Sequence, residues 1–480
     1  MIMKKIYITF LFAAISLFSS CDDWLTVEPK DMVTVDKALT TPEGYTSALV
    51  GVYQILQNVY NPGGFVMGSG VDTFANIYTE PSIGFSQSLN SAYNYNFSNT
   101  SYDNSSGAAF LQMYKAITNL NVILSSIETT EVLTAEQKNF VEGEARALRG
   151  FLHFDIWRIY GTAPDDSAGT SNLILPYSLE VSNEFIPYLN YNDYFANILS
   201  DLEQAKDMLS FSDPIVYYSN ELLNVEGSIE EYEDLGWYNR QNRFNYYATL
   251  GALARVQLWM GNKEQAYEYA KEVVDAQNED GTRKFRLGTS TDMGNTDLAL
   301  FVEQLFGVET LGYDDTSYSS YTAHCVNSEY VLNQVYPSSS DIRKMNLFTT
   351  LTSNALVYNA QISLKYSLMS ENDASAYKNF PIIRVSEMYL ILVETAPTIA
   401  EAQTYYDTFA NSRFDENVTL TEGNLQENIL NQYTREFWAE GQIFYTYKRL
   451  SLTSLPFSGQ EMNTDKYKIA IPSGETNRDL

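Results

Sequence analysis

Few side chains in this sequence have the types needed for nucleophilic, acid–base or metal chemistry. Its 480 residues contain two histidines, His153 and His324, and two cysteines, Cys21 and Cys325. That count excludes a four-cysteine zinc site and a disulfide framework. His153 sits between Leu152 and Phe154 in a strongly periodic segment, and reads as a satisfied, buried imidazole rather than a base. His324 and Cys325 are neighbours, so their side chains normally point apart, and no third group completes a dyad. Carboxylates cluster at Glu230, Glu231, Glu233 and Asp234 and at Asp314 and Asp315. Without an EF-hand-like loop, these read as solvated acidic surface rather than a calcium site. The partial glycine pair Gly68 and Gly70 lacks the third glycine of a nucleotide fingerprint. No catalytic residue, metal ligand or cofactor is assigned.

Binding chemistry is better represented. The chain has 37 tyrosines, each offering a rigid ring and a hydroxyl at low entropy cost. They crowd into polar stretches: Tyr93, Tyr95, Phe97 and Tyr102 among the Asn and Ser of 90–107, a second group in 216–247, and a third in 309–338. Rings that stack on sugar C–H faces, beside amides that hydrogen-bond hydroxyls, suit recognition of a neutral oligosaccharide. The candidate platforms are Tyr93, Tyr95, Trp237, Tyr313 and Tyr318, and the candidate hydrogen-bonding partners are Asp72, Asn94 and Asn96. The competing reading is structural, with the rings pinning long loops to the body and Asp72 capping a helix. A net charge of −30 argues against a nucleic-acid partner.

These residues need a scaffold, and the scaffold is predicted to be helical. Apolar residues recur at three- and four-residue spacing over 44–60, 108–127, 135–160, 193–209, 244–260, 264–276, 385–394, 401–412 and 425–450. In 135–160 the stripe runs Val141, Ala145, Leu148, Leu152, Ile156, Ile159. Gly261 and Asn262 join two helices whose small residues Ala254, Ala266 and Ala270 resemble a tetratricopeptide hairpin. The expected class is all-α: a tetratricopeptide-like hairpin scaffold with long irregular loop insertions. Residues 1–20 read as a secretory signal, with Lys4 and Lys5 before an apolar run. The small-small-Cys junction at Ser19, Ser20 and Cys21 resembles a lipobox, with Phe18 where Leu is usual. Cys21 is thus the expected lipid anchor.

Several segments in order resemble the SusD/RagB family of nutrient-uptake lipoproteins. They include CDDWLTVEPKD at 21–31, EGEARALRGFLHFDIWRIYG at 142–161, ALARVQLWMGNKEQAYEYAKEVVD at 252–275, FPIIRVSEMYLILVETA at 380–396 and REFWAEGQIFYTYKRLS at 435–451. The resemblance implies an N-terminal region over 21–230 and a C-terminal region over 231–480, packed as one unit. It implies a protein anchored on the outer membrane and facing outward, with Asp22 and Asp23 as an acidic export signal. The implied partner is a TonB-dependent transporter barrel. The implied role is capture, without reaction or cofactor, of an oligosaccharide or, in some members, a peptide. A surface glycoside hydrolase, which needs two suitably spaced carboxylates, and a protein-binding helical scaffold are the alternatives.

Overall fold

A computed structural model describes residues 38–78, 87–167, 170–182, 184–232, 235–294, 297–310, 326–351, 360–366 and 379–476. The expected signal, Cys21, the Asp22–Asp23 pair, Tyr313, Tyr318, His324, Cys325, Asp314, Asp315, Glu233 and Asp234 lie outside the described residues. The principal helices are α1 (Pro42–Tyr60), α2 (Val71–Phe74), α3 (Gln87–Tyr93), α4 (Thr100–Ile127), α5 (Ala135–Tyr160) and α6 (Tyr191–Ser212). They continue with α7 (Tyr246–Trp259), α8 (Lys263–Asp275), α9 (Val385–Thr395), α10 (Ile399–Arg413), α11 (Leu425–Glu436) and α12 (Ile443–Arg449). The fold is all-α in class, as the periodicity implies, with a few short strands.

Helix starts follow local chemistry. Thr41 accepts from Gly44 N ahead of Pro42, which fills the first turn of α1. Thr134 and Gln137 form a capping box for α5. Asn99, Asn190 and Asn245 cap α4, α6 and α7. Helices α5 and α6 pack along most of their length, and the sequence permits it through two glycines a heptad apart. A Cβ on Gly143 would lie 2.8 Å from Leu209, and one on Gly150 3.1 Å from Leu202. The pairs α7–α8 and α9–α10 are further antiparallel hairpins, and the main apolar core runs from Tyr45 to Ile469, beside a small satellite cluster of Met293, Leu298, Leu300, Ile342 and Leu347.

Among the described residues, seven short strands carry connections. Strands β1 (Leu175–Pro176) and β2 (Tyr188–Leu189) pair antiparallel. Strands β3 (Gln304–Glu309) and β7 (Asn379–Arg384) form a second ladder. The third sheet has β6 (Ala360–Ser363) between β4 (Val326–Ser328) and β5 (Phe348–Leu351).

Two expectations need correction. The stretch 90–107 is only partly loop, because Asn99 accepts from the amides of Ser101 and Tyr102 and starts α4 two turns earlier than the apolar stripe does. The single helix expected over 425–450 is broken at 437–442, where Ala439 and Gly441 have φ of 63° and 67°. A buried ionic network causes the break. Arg384 takes the main-chain oxygen of Glu436 at 3.0 Å and Lys365 that of Trp438 at 3.2 Å. The amide of Gly441 donates to Asp72 at 3.2 Å. A Cβ at Gly441 would sit 2.4 Å from the carbonyl oxygen of Val66, so this turn requires glycine.

In that network, Arg343, Arg384, Arg413, Arg435 and Lys365 are paired with Glu303, Asp341, Asp415, Glu436 and Glu440. Burial pushes the Glu436 carboxyl up, but Arg413, Arg384 and Arg343 outweigh it and hold it well below the usual carboxylate range. Arg240 and Arg243 bind Glu144 and Asp213 in a second buried cluster.

Candidate functional site

A groove of about 710 Å³ runs along the first half of α4. Asp103, Gly107, Phe110, Leu111, Tyr114 and Thr118 line it, at the three- and four-residue spacing of one helical face. The opposite wall is the segment joining β1 to β2, with Pro176, Ser178, Glu180, Ser182, Glu184 and Ile186. Pro472, Ser473, Gly474 and Glu475 close one end. Pro472 lies over Gly107, where a Cβ would make an ordinary van der Waals contact at 3.4 Å.

Each wall is fastened from behind. The Tyr114 hydroxyl donates to the Pro176 oxygen at 2.8 Å, and its ring packs 4.7 Å from that of Phe110. Asp103 accepts from the amide and hydroxyl of Ser473 at 3.1 and 2.6 Å. Arg149, held by Asp201 at 2.6 Å, donates to Asn121 and to the Leu179 oxygen. His153 belongs to this support. Its Nδ1 faces the Arg149 oxygen at 2.9 Å, and Nε2 accepts from the Ser178 amide at 3.0 Å. Its ring stacks on Tyr177 at 3.7 Å. Those bonds fix a neutral Nδ1–H tautomer, and burial pushes the imidazole down to about 3. His153 is the satisfied histidine the sequence implies, and it positions the groove wall.

The groove presents aromatic and aliphatic surface beside serine hydroxyls and the Asn104 amide. Its charged lining is Asp103, Glu180, Glu184 and Glu475, with no basic side chain. Leu111 is 66% exposed, and Leu179, Val181 and Phe185 are exposed along the opposite wall, Phe185 by 62%.

The residues singled out from sequence are not gathered into one place. Asn94 and Asn96 are exposed in the turn between α3 and α4, and Tyr93 is half-buried at the end of α3. That turn leads directly into the groove-lining helix. Asn94 donates to Asn90 and Asn96 accepts from Ser98, so their amides are already oriented.

Three of the singled-out residues are core residues, which corrects the expectation for them. Tyr95 is buried on Phe74, its hydroxyl donating to the Phe74 oxygen. Trp237 is 2% exposed, with rings on both sides: Phe140 at 3.8 Å and Tyr232 at 5.5 Å. No ring face is left for a sugar. Asp72 is buried in α2, bound to the Tyr78 hydroxyl and the Gly441 amide, and is neither a ligand contact nor a cap. Tyr232 and Tyr238 are likewise buried, so these rings of 216–247 pin chain to body, while Tyr217 stays exposed.

The groove itself was missed. Its signal was present in the spacing of Asp103, Gly107, Phe110, Tyr114 and Thr118, but the opposite wall is sequence-distant and aperiodic. Among the described residues, no group of three or more His, Cys, Asp or Glu is placed to hold a metal ion, and no helix is long and apolar enough to cross a membrane.

Residues 23–220 match a SusD-like family described as starch-binding and associating with the outer membrane. A curated SusD-like protein of Formosa agariphila is 26% identical over 236 residues, which span 48% of this chain and 42% of that protein. The crystal structure of a SusD superfamily protein from Bacteroides thetaiotaomicron superposes with a TM-score of 0.70 at 20% identity, covering 91% of this chain and 98% of that one. A solved laminarin-binding SusD-like protein superposes with a TM-score of 0.64 at 15% identity, over 90% and 96% of the two chains. The matched region, residues 23–220, contains α4, α5 and both groove walls and is similar to the SusD-like family, and over nine-tenths of the chain the fold is that of the SusD superfamily structures.

Proposed function

We propose that the protein captures neutral oligosaccharides at the cell surface without cleaving them and passes them to a TonB-dependent barrel in the outer membrane. The groove on α4 carries the reading. Its size is that of a ligand site, and rings and aliphatic faces alternate with hydroxyls and an amide as a pyranose chain requires. Four carboxylates in the lining and no cation disfavour uronic and sulfated glycans. Tyr93, Asn94 and Asn96 extend the contact surface from the turn ahead of α4, and Tyr313 and Tyr318 are further proposed contacts. Cys21 carries the lipid that holds the protein on the membrane, and Asp22 and Asp23 direct it outward.

The laminarin binding named for one structural neighbour makes laminarin oligosaccharides the first ligands to titrate. A second reading, capture of peptides, is favoured by one observation: exposed Leu111, Leu179, Val181 and Phe185 beside four carboxylates suit a basic, apolar peptide as well. Calorimetric titration with neutral glycans, acidic glycans and basic peptides, with products followed by mass spectrometry, separates these readings. Cleavage of a bound glycan would replace them with hydrolysis.

A further inference from the structure

Where α5, α7, α9, α11 and α12 converge, the structure leaves a small, partly open cavity of about 30 Å³, room for one water-sized or ion-sized guest. Four polar atoms in its lining are buried without a hydrogen-bond partner: Nη1 of Arg255, Nε1 of Trp259 and the hydroxyls of Tyr433 and Tyr445. All four residues are more than nine-tenths buried.

The unmet demand is one-sided. Guanidinium and indole nitrogens only donate. The two phenols hold their protons, because burial lifts both well above the usual tyrosine range, and neither has an acceptor. The neighbouring acceptors are taken. Glu387 gives both oxygens to Arg255 at 2.7 and 2.5 Å, and Glu394 gives both to Arg449 at 2.7 and 2.8 Å. Asp155 holds Arg158, which also takes the side-chain oxygen of Gln442 at 2.9 Å. Four donors without an acceptor therefore belong to side chains that line one small cavity. A water molecule accepts about two hydrogen bonds, whereas a spherical monovalent anion accepts all four. Leaving buried donors unmet is destabilising.

We propose that this cavity binds one halide-sized monovalent anion, held by Arg255, Trp259, Tyr433 and Tyr445. The three guanidiniums around it are balanced by their own carboxylates, so donor dipoles rather than net charge hold the ion. Bound there, it joins α7 to α11 and α12, and so links the hairpin scaffold to the C-terminal helices.

The test is to purify and crystallise the protein with sodium bromide in place of chloride and record anomalous scattering at the bromine edge. A bromine peak in the cavity within hydrogen-bonding reach of the four atoms is expected. In solution, Tm should be about 1–2 °C higher in sodium chloride than in sodium gluconate at equal ionic strength. That is the shift for a ligand at about ten times its Kd on a chain of this size. The Tyr433→Phe/Tyr445→Phe variant, with two donors left for a single water, should lose the difference. Ordered water without anomalous signal would overturn the proposal, as would equal Tm in the two salts. The bromide crystal decides the matter on the unaltered protein if the variant does not fold.

Discussion

Trp237 separates the structural from the binding role of the aromatic residues, and Trp237→Ala tests which it has. Its ring is 2% exposed, with Phe140 at 3.8 Å and 24° on one side and Tyr232 at 5.5 Å and 28° on the other. Phe140 also lies under the Arg240 guanidinium at 4.6 Å, which is itself held by Glu144 and Asp213. Truncating a buried tryptophan costs about 3–5 kcal/mol, and the two ring contacts add ~0.5–1.5 kcal/mol each, partly within that figure. A loss of about 4–5 kcal/mol follows. Unfolding entropy near 2 cal/mol/K per residue gives roughly 1 kcal/mol/K over 480 residues, so Tm should fall by about 4–5 °C. The assay is differential scanning fluorimetry with calorimetric titration of the remaining folded protein, in which glycan affinity should be unchanged. An unaltered melt with lost binding would refute the reasoning, because it would mean the ring meets ligand rather than Phe140 and Tyr232.

Two further outcomes are expected. Glu436→Gln removes the carboxylate shared by Arg343, Arg384 and Arg413 and should cost about 3–5 kcal/mol, read as a lower urea midpoint with unchanged slope. For Asp72, burial, opposed by the Tyr78 hydroxyl and the Gly441 amide, pushes the carboxyl up from 3.8 to about 7. The folded state therefore binds this proton more tightly than the unfolded state. The resulting stability is present below the ordinary value and is lost as pH rises through about 7. Asp72→Asn should remove up to ~1.4 kcal/mol of pH dependence per unit in that window. The variant's Tm relative to the unaltered protein should thus climb between pH 5 and 8, and a constant offset would contradict the assignment.

How much was legible in the sequence followed from what each signal encodes. Helix positions were readable because an apolar stripe and an amphipathic helix share one period, and α5 matches its predicted bounds. The polar first turns of α4 carry no such stripe, so only the Asn99 cap could have announced them. The break after Glu436 was invisible because its causes, Lys365, Arg384 and Asp72, are distant in sequence. Tyr95 and Trp237 looked like ligand platforms because a polar, aromatic-rich stretch has the same composition whether its rings face a sugar or Phe74 and Phe140. Asn94 and Asn96, with no apolar surface to bury, did remain exposed. The groove needs α4, the β1–β2 connection and residues 472–475 together, a juxtaposition that only the fold supplies.

The central claim is capture in the α4 groove, and Leu111→Arg tests it most directly. Leu111 is 66% exposed, so the change should alter stability by less than about 0.5 kcal/mol while placing a long side chain in the groove. Residues 22–480 of both forms would be titrated calorimetrically with laminarin and other neutral oligosaccharides, and the products examined by mass spectrometry. The account predicts saturable binding of intact glycan by the unaltered protein, and at least tenfold weaker binding by Leu111→Arg at the same Tm. Equal affinity in both forms, or cleavage of the glycan, would contradict it.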